Sequence, residues 1–348
     1  MTLVFYIIGA IVMIGVLVVV HELGHYCAGR ALKLPIVEFS VGFGPLLFGR
    51  ERNGIQYSLR ALPFGGYCGF DEEANDGKPS FMQTAAWRRL VTFIAGPAMN
   101  IALAYLLAVV YLSTIGMAVV NVIAGVEEGM PAETAGVQAG DKILAVNGQE
   151  TTAPIELIRE NDGSVVLTLL REGERIDVPV EAFYDEELNV YRVGVSLTHS
   201  YVAYPLGQSI LYGGTLCYDM LVSMFDFLGG LVMGRQNPDE VVGIVGTVTM
   251  ISTQAQQGFE HSMQSGFANV LAMAIMISLN LGLINMLPLP AVDGGRIVFS
   301  LIEIVARRPV PQKVESMVHT VGFVLLFGLM LFLVVKDVVG LVKGTMPL

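Results

Sequence analysis

The sequence predicts an α-helical polytopic membrane protein of about four transmembrane helices with a small α+β domain inserted in its middle. Three observations carry that reading. Hydrophobic residues make up 53% of the 348-residue chain, charged residues only 15%, and the mean hydropathy is +0.63, which lies outside the range of ordinary soluble domains. The apolar residues gather in long runs, and one acidic segment between them carries the alternation and turn signals of a compact β-rich module.

Runs of about 20 mostly apolar residues, the length that crosses the hydrocarbon core, occur at 3–20, continuing into the pentapeptide HELGH, and at 90–115, 268–286 and 318–335. The first run lacks a basic leading region and exceeds the apolar core of about 7–15 residues found in a cleaved leader, so it is read as a span. Orientation follows from the bias of Lys and Arg toward the cytoplasmic side of short loops. Residues 28–90 hold eight basic and six acidic side chains, residues 287–317 four and three, and residues 116–267 six and twenty. Arg30, Arg88, Arg89, Arg307 and Arg308 sit near span ends on the side so marked as inner. The N-terminus and the acidic middle are therefore expected outside, and the segments after the first and third spans inside.

The net charge of −11 comes almost wholly from the outer segment. That balance argues against nucleic acid as a partner, because phosphate binding needs a basic surface. Cys27 and Cys68 fall on the predicted inner side and Cys217 on the outer, so no disulfide is expected.

The middle segment reads as a module over 120–183. "GMPAETAGVQAGDKILAVNGQ" gives a Pro- and Gly-rich turn, a strand and the hairpin signal Asn147-Gly148, and two further strands meet at Glu172-Gly173. The string resembles a bacterial PDZ domain, a module that captures an extended peptide by adding it to a sheet edge. The linker that follows, 184–267, contains an apolar stretch at 206–232 with Asp219 and Asp226 seven residues apart on one helical face. It is read as an amphipathic helix on the outer membrane surface. A further full span there would also place the segment after Met286 on the wrong side to meet HELGH.

HELGH, at the end of the first span, poses the chemical question. His21 and His25 are four residues apart and share a helix face, and Glu22 stands about 100° round from His21. Ionisable side chains inside a span are costly and mark function by default. The pattern fits His-Glu-x-x-His chemistry, in which two imidazoles bind zinc and the glutamate handles the proton of the attacking water. A catalytic zinc generally takes three protein ligands. The inner end of the third span offers Asp293, in a turn bounded by Pro288, Pro290, Gly294 and Gly295.

HELGH, "AGPAMN" at 95–100, the PDZ-like insert and "NMLPLPAVDGG" at 285–295 together resemble the site-two protease family of intramembrane zinc metalloproteases, nearly end to end, and within it the bacterial sigma-E regulator branch. The resemblance implies one Zn2+ bound by His21, His25 and Asp293, Glu22 as catalytic acid/base, and Asn280 and Asn285 as substrate-positioning residues. It also implies a bacterial inner-membrane location with the active site near the cytoplasmic side. The first two helices and HELGH would occupy 1–115, and 268–348 would carry the last two spans with the AVDGG ligand motif. The alternation in "GIQYSLRAL" would form part of a β-hairpin-like loop over 36–70 against which an unwound substrate could pair, the alternative being a simple cytoplasmic hairpin. The implied partners are the bilayer and single-span proteins, such as an anti-sigma factor trimmed by a site-one protease, or signal-peptide remnants. Two departures stand out: Val292 where the family usually has leucine, and one PDZ-like module where the best-known members have two. A non-catalytic membrane-anchored PDZ scaffold and a metal-handling membrane protein are the competing readings.

Overall fold

The computed structural model describes residues 2–71, 80–151, 153–161, 163–185, 190–237 and 241–343. It divides into two compact units, Met1–Tyr111 with Leu206–Leu348, and Leu112–Pro205. In chain order, helix α1 (Thr2–Ala31) leads into strands β1 (Ile36–Arg52) and β2 (Ile55–Phe70) and helix α2 (Ala86–Thr114). The second unit holds β3 (Met117–Val126), α3 (Pro131–Thr134), β4 (Lys142–Val146), β5 (Gln149–Glu150), α4 (Pro154–Arg159), β6 (Ser164–Arg171), β7 (Glu174–Glu181), β8 (Phe183–Asp185), β9 (Val190–Arg192) and β10 (Val195–Val202). The chain then returns as α5 (Leu206–Val232), α6 (Ile244–His261), α7 (Met263–Met286), α8 (Asp293–Ala306) and α9 (Gln312–Lys343).

Among the described residues, four helices are long and apolar enough to cross a membrane: Val4–Ala31, Ala86–Thr114, Met263–Met286 and Gln312–Lys343. They match the four apolar runs read from the sequence, the first two runs each reaching one residue beyond its span. Helix α7 is the common partner in the first unit. Its Ile277 packs with Ala10 and Leu17 of α1 and Ile251 of α6, and its Ile275 and Leu279 pack with Ala104 and Ala108 of α2 and Cys217 of α5. Helix α5 is thus apolar on the face it lays against α2 and α7, while its Asp219 and Asp226 are exposed.

Two acidic residues in apolar surroundings have structural explanations. Asp337 of α9, 2% exposed, accepts hydrogen bonds from the amides of Gly243 and Gly246 at 3.3 and 2.8 Å. It therefore satisfies donors at the start of α6 that have no partner within that helix. Glu303 of α8 pairs with Arg89 of α2, both buried, and its other oxygen accepts the Val310 amide at 2.9 Å. This pair ties the helix that begins with Asp293 to α2.

The turn between β1 and β2 is Asn53-Gly54, both at positive φ (54° and 74°), as the tight turns that match strand twist require. Both arms bend, so that residues 38–41 have partners in 56–59 on one side and 66–69 on the other.

In the second unit the sheet order is β10-β3-β4-β6-β7, with β5 pairing β4. Val165, Leu167 and Leu169 alternate inward along β6 and are wholly buried, with Ile123, Ile143 and Val146 beside them. The two hairpin turns occur where the sequence marks them, with Asn147 at φ 52° and Glu172 at φ 51°, each followed by a positive-φ glycine. The unit runs past the 120–183 read from sequence. β10 pairs with β3 from Val195↔Val126 to Val202↔Met117, a long-range pairing with no local signal.

Candidate metal centre

The centre is built from the last third of α1, the middle of α2 and the first turn of α8. His21 lies about 29 Å along α1 at 1.5 Å per residue, and about 15 Å from its end. His21 Nε2 is 2.9 Å and His25 Nε2 3.1 Å from Asp293 Oδ2, and the two Nε2 atoms are 3.2 Å apart. All three side chains are nearly buried.

This donor set fits a cation. His25 Nδ1 donates to the Thr92 carbonyl at 2.8 Å, which leaves its Nε2 lone pair pointing at the other two donors. Two imidazole nitrogens and a carboxylate oxygen in van der Waals contact are the ligand types of a catalytic zinc, whose tetrahedral edges span about 3.3 Å for bonds near 2.0 Å. Asn100, fully buried, has its Nδ2 3.5 Å from His21 Nδ1 and its Oδ1 without a partner. Turning that amide would pair the orphaned oxygen with an Nδ1–H and leave the His21 Nε2 lone pair free for metal.

Asp293 differs from its sequence reading as a turn residue. It is the first residue of α8, where an acidic side chain suits the helix dipole. Burial pushes its carboxyl up, but the hydrogen bonds to His21 and His25 outweigh that and hold it well below the usual carboxylate range. The segment before it is braced by α9. Ala291 sits at φ 71°, a region that costs a non-glycine residue of order 1 kcal/mol, and its amide donates to Nδ1 of His319 at 3.0 Å.

Glu22 lies outside the donor triangle. The amide of Cys68 in β2 donates to its Oε2 at 3.0 Å. Burial, with Glu22 and Cys27 adding to it, pushes the Cys68 thiol up to about 12, so it stays protonated and unreactive at neutral pH. A cavity of about 330 Å³ is lined by His21, Glu22, His25, Tyr67, Asn285 and Asp293, among others. Asn285 therefore reaches the site. Asn280 is exposed on α7 and outside that lining, because five residues turn the helix through about 500°, leaving the two some 140° apart.

Sequence reasoning passed over Thr92, Gly96, Asn100 and His319. Only the first three had a signal: Gly96 and Asn100 lie within "AGPAMN", which marked the resemblance without a role for either, and Thr92 stands three residues before it. Gly96 shows what that motif allows. A Cβ there would lie 2.3 Å from His25 Nε2 and 2.9 Å from His21 Nε2, and one on Gly24 would lie 2.3 Å from the Ala95 carbonyl oxygen. The α1–α2 crossing admits backbone only. Gly96→Ala should lower zinc affinity by about 100-fold, the upper range for disturbed metal surroundings. Metal content after dialysis against graded chelator reads this, and wild-type retention would show that the ligands need no such close approach.

The model of peptidase family M50 matches residues 9–329. A protein of Agrobacterium fabrum with the name "Putative zinc metalloprotease" is 30% identical, covering 97% of this chain and 96% of its own length. Proteins given the same description in Clostridium perfringens and Synechocystis are 32% and 29% identical, covering 96% of this chain in both cases and 98% and 94% of their own lengths. Among solved structures, the PDZ domain of an SdrC-like protein from Listeria innocua matches 24% of this chain and 97% of its own, with 17% identity and a TM-score of 0.21, a level at which the likeness carries no weight.

Proposed function

The chain belongs to peptidase family M50 and is a zinc metalloprotease of the site-two type, and we propose that it cuts single-span membrane proteins within the bilayer, using Glu22 as acid/base and His21, His25 and Asp293 as ligands of one Zn2+. The observation that carries this is the convergence of those three donors beside a glutamate held by the Cys68 amide in one cavity.

Zinc held there would supply the Lewis acidity that makes water a nucleophile near neutral pH. The chain's own residues do the rest. Cys68 N–H fixes one oxygen of Glu22, and the carboxylate takes the proton of the attacking water and hands it to the leaving amine. A substrate helix hides its carbonyls in its own hydrogen bonds, so it must unwind. Residues 66–69 of β2 pair with 38–41 along one side and reach the cavity at Tyr67 and Cys68. An extended substrate pairing there would bring its scissile carbonyl toward Glu22, with Asn285 available to hydrogen-bond its backbone. Anti-sigma factors already trimmed outside, or signal-peptide remnants, fit this requirement.

Zinc analysis of the purified protein together with cleavage of a panel of membrane-spanning peptides tests the reading. One zinc per chain and cleavage inside the spanning segment are expected. A scaffold would show neither, and a metal-handling protein would show metal without cleavage.

Orientation has its own test. The charge bias supports an outer Leu112–Pro205 unit and an inner α8–α9 connection. In a background lacking Cys27, Cys68 and Cys217, a cysteine at Glu174 should react with an impermeant maleimide in intact cells, and one at Arg308 only after permeabilisation. Reaction of both from the same side would reject this orientation.

A further inference from the structure

The first unit holds a second cavity, of about 710 Å³, between the end of α1 and the β1–β2 hairpin. We propose that it binds an anionic phospholipid, with the headgroup phosphate held by Arg30, Arg50 and Arg52 and an acyl chain laid along Val41, Phe48 and Leu59.

The strand register sets out this division. One row across the sheet reads Val41, Leu59, Phe48, the next Phe39, Tyr57, Arg50, and beyond it Arg52 stands opposite Ile55. Side chains alternate along a strand, so Phe48, Arg50 and Arg52 share a face while Glu51 points to the other. The facing wall comes from α1, where Tyr26 and Arg30 are four residues apart and so on one side of the helix. Tyr26 and Tyr57 share a hydrogen bond between their hydroxyls at 2.7 Å, and the Tyr26 ring lies 5.2 Å from that of Phe39. The cavity is therefore apolar at one end, aromatic in the middle and cationic at the other.

Its charge is unbalanced. Arg60, Arg89, Arg171 and Arg192 each have a carboxylate partner. Among the described residues Arg30, Arg50 and Arg52 have none, and the cavity lining contains no Asp or Glu. Three exposed guanidiniums around one space form a site for phosphate oxygens, which arginine engages bidentately.

Placement and apolar surface select the source of that phosphate. Arg30 lies at the end of the first candidate span, at the depth where tyrosines and basic residues meet headgroups. On the cavity's own face Phe48 and Leu59, opposite each other across the strands, are 67% and 48% exposed, uncovered apolar surface that acyl chains would cover. A soluble phosphate ester or an acidic peptide would leave the apolar half of the cavity unused.

The test uses the full chain in detergent, exchanged against phosphatidylglycerol or phosphatidylcholine, with bound lipid counted by native mass spectrometry. Wild type should retain phosphatidylglycerol over phosphatidylcholine by about 100-fold, on the basis of roughly fivefold per arginine near the headgroup. Arg50→Gln with Arg52→Gln, both on exposed strand surface, should lower retention about 25-fold on the same scale with an unchanged circular dichroism spectrum. Arg307→Gln with Arg308→Gln should leave retention unchanged. Equal loss in both double variants would reduce the effect to general charge and overturn the site. So would competition by glycerol phosphate or an acidic peptide as strong as that by the lipid.

Discussion

Glu22→Gln should lower turnover of a membrane-spanning substrate by roughly 10²–10⁴-fold, the range for loss of a positioned general acid or base, while zinc content stays at the wild-type level. The separation of effects follows from geometry. The donors that converge are His21 Nε2, His25 Nε2 and Asp293 Oδ2, whereas Glu22 is directed to the Cys68 amide. A glutamine keeps the side-chain length and can still accept that amide hydrogen bond, so the fold and the cavity should persist. What disappears is the group that can take a proton from water and return it to the amine. KM should change little, because the amide occupies the same space, and the loss should fall on kcat. Single-turnover cleavage with matched metal analysis separates the possibilities. A variant that keeps zinc and cuts at near wild-type rate would remove Glu22 from the chemistry. One that loses zinc would instead make Glu22 a structural support of the ligands.

Much of the candidate centre is legible in the sequence, for physical reasons that also mark the limits. His21, Glu22 and His25 are visible because ionisable groups in an apolar helix are expensive, and because a four-residue spacing fixes a shared face. Asp293 could be found because topology restricts which loop can meet the end of the first span. Its setting as the first residue of α8 was harder to see, since Pro288 and Pro290 before it signal a turn and Gly294 and Gly295 after it are weak helix formers. The contacts that orient these residues cross long stretches of chain: Cys68 to Glu22 over 46 residues, Thr92 to His25 over 67, and His319 to Ala291 over 28. Periodicity reports which face of an element is apolar, not which amide will meet which carboxylate. The same limit explains β10. Its alternation is ordinary, and only the pairing with β3 makes it part of the inserted unit.

That pairing also decides how the role of the inserted unit should be tested. If the unit acts as a size filter, removing it should allow substrates with bulky, untrimmed outer domains to be cut. If it recruits peptides, removing it should slow cleavage of every substrate. Excision of 120–183 alone would strand β10 without most of β3 and expose a sheet edge. A cut at the Met117↔Val202 pair is cleaner, because paired strand residues have Cα atoms about 5 Å apart and a short Gly/Ser linker spans that gap. Removing 118–201 should therefore leave the two chain ends as close as the sheet holds them, with the helices of the first unit intact. The filter is the expected outcome. A helix that enters a protease sideways brings any folded domain at its end with it, and none of the acidic unit's described residues lines the His21–Asp293 cavity. The deletion variant should cut trimmed substrate at the wild-type rate and untrimmed substrate at a comparable one. Discrimination unchanged from wild type would end the filter proposal, and a uniform rise in KM for both substrates would assign the unit to capture.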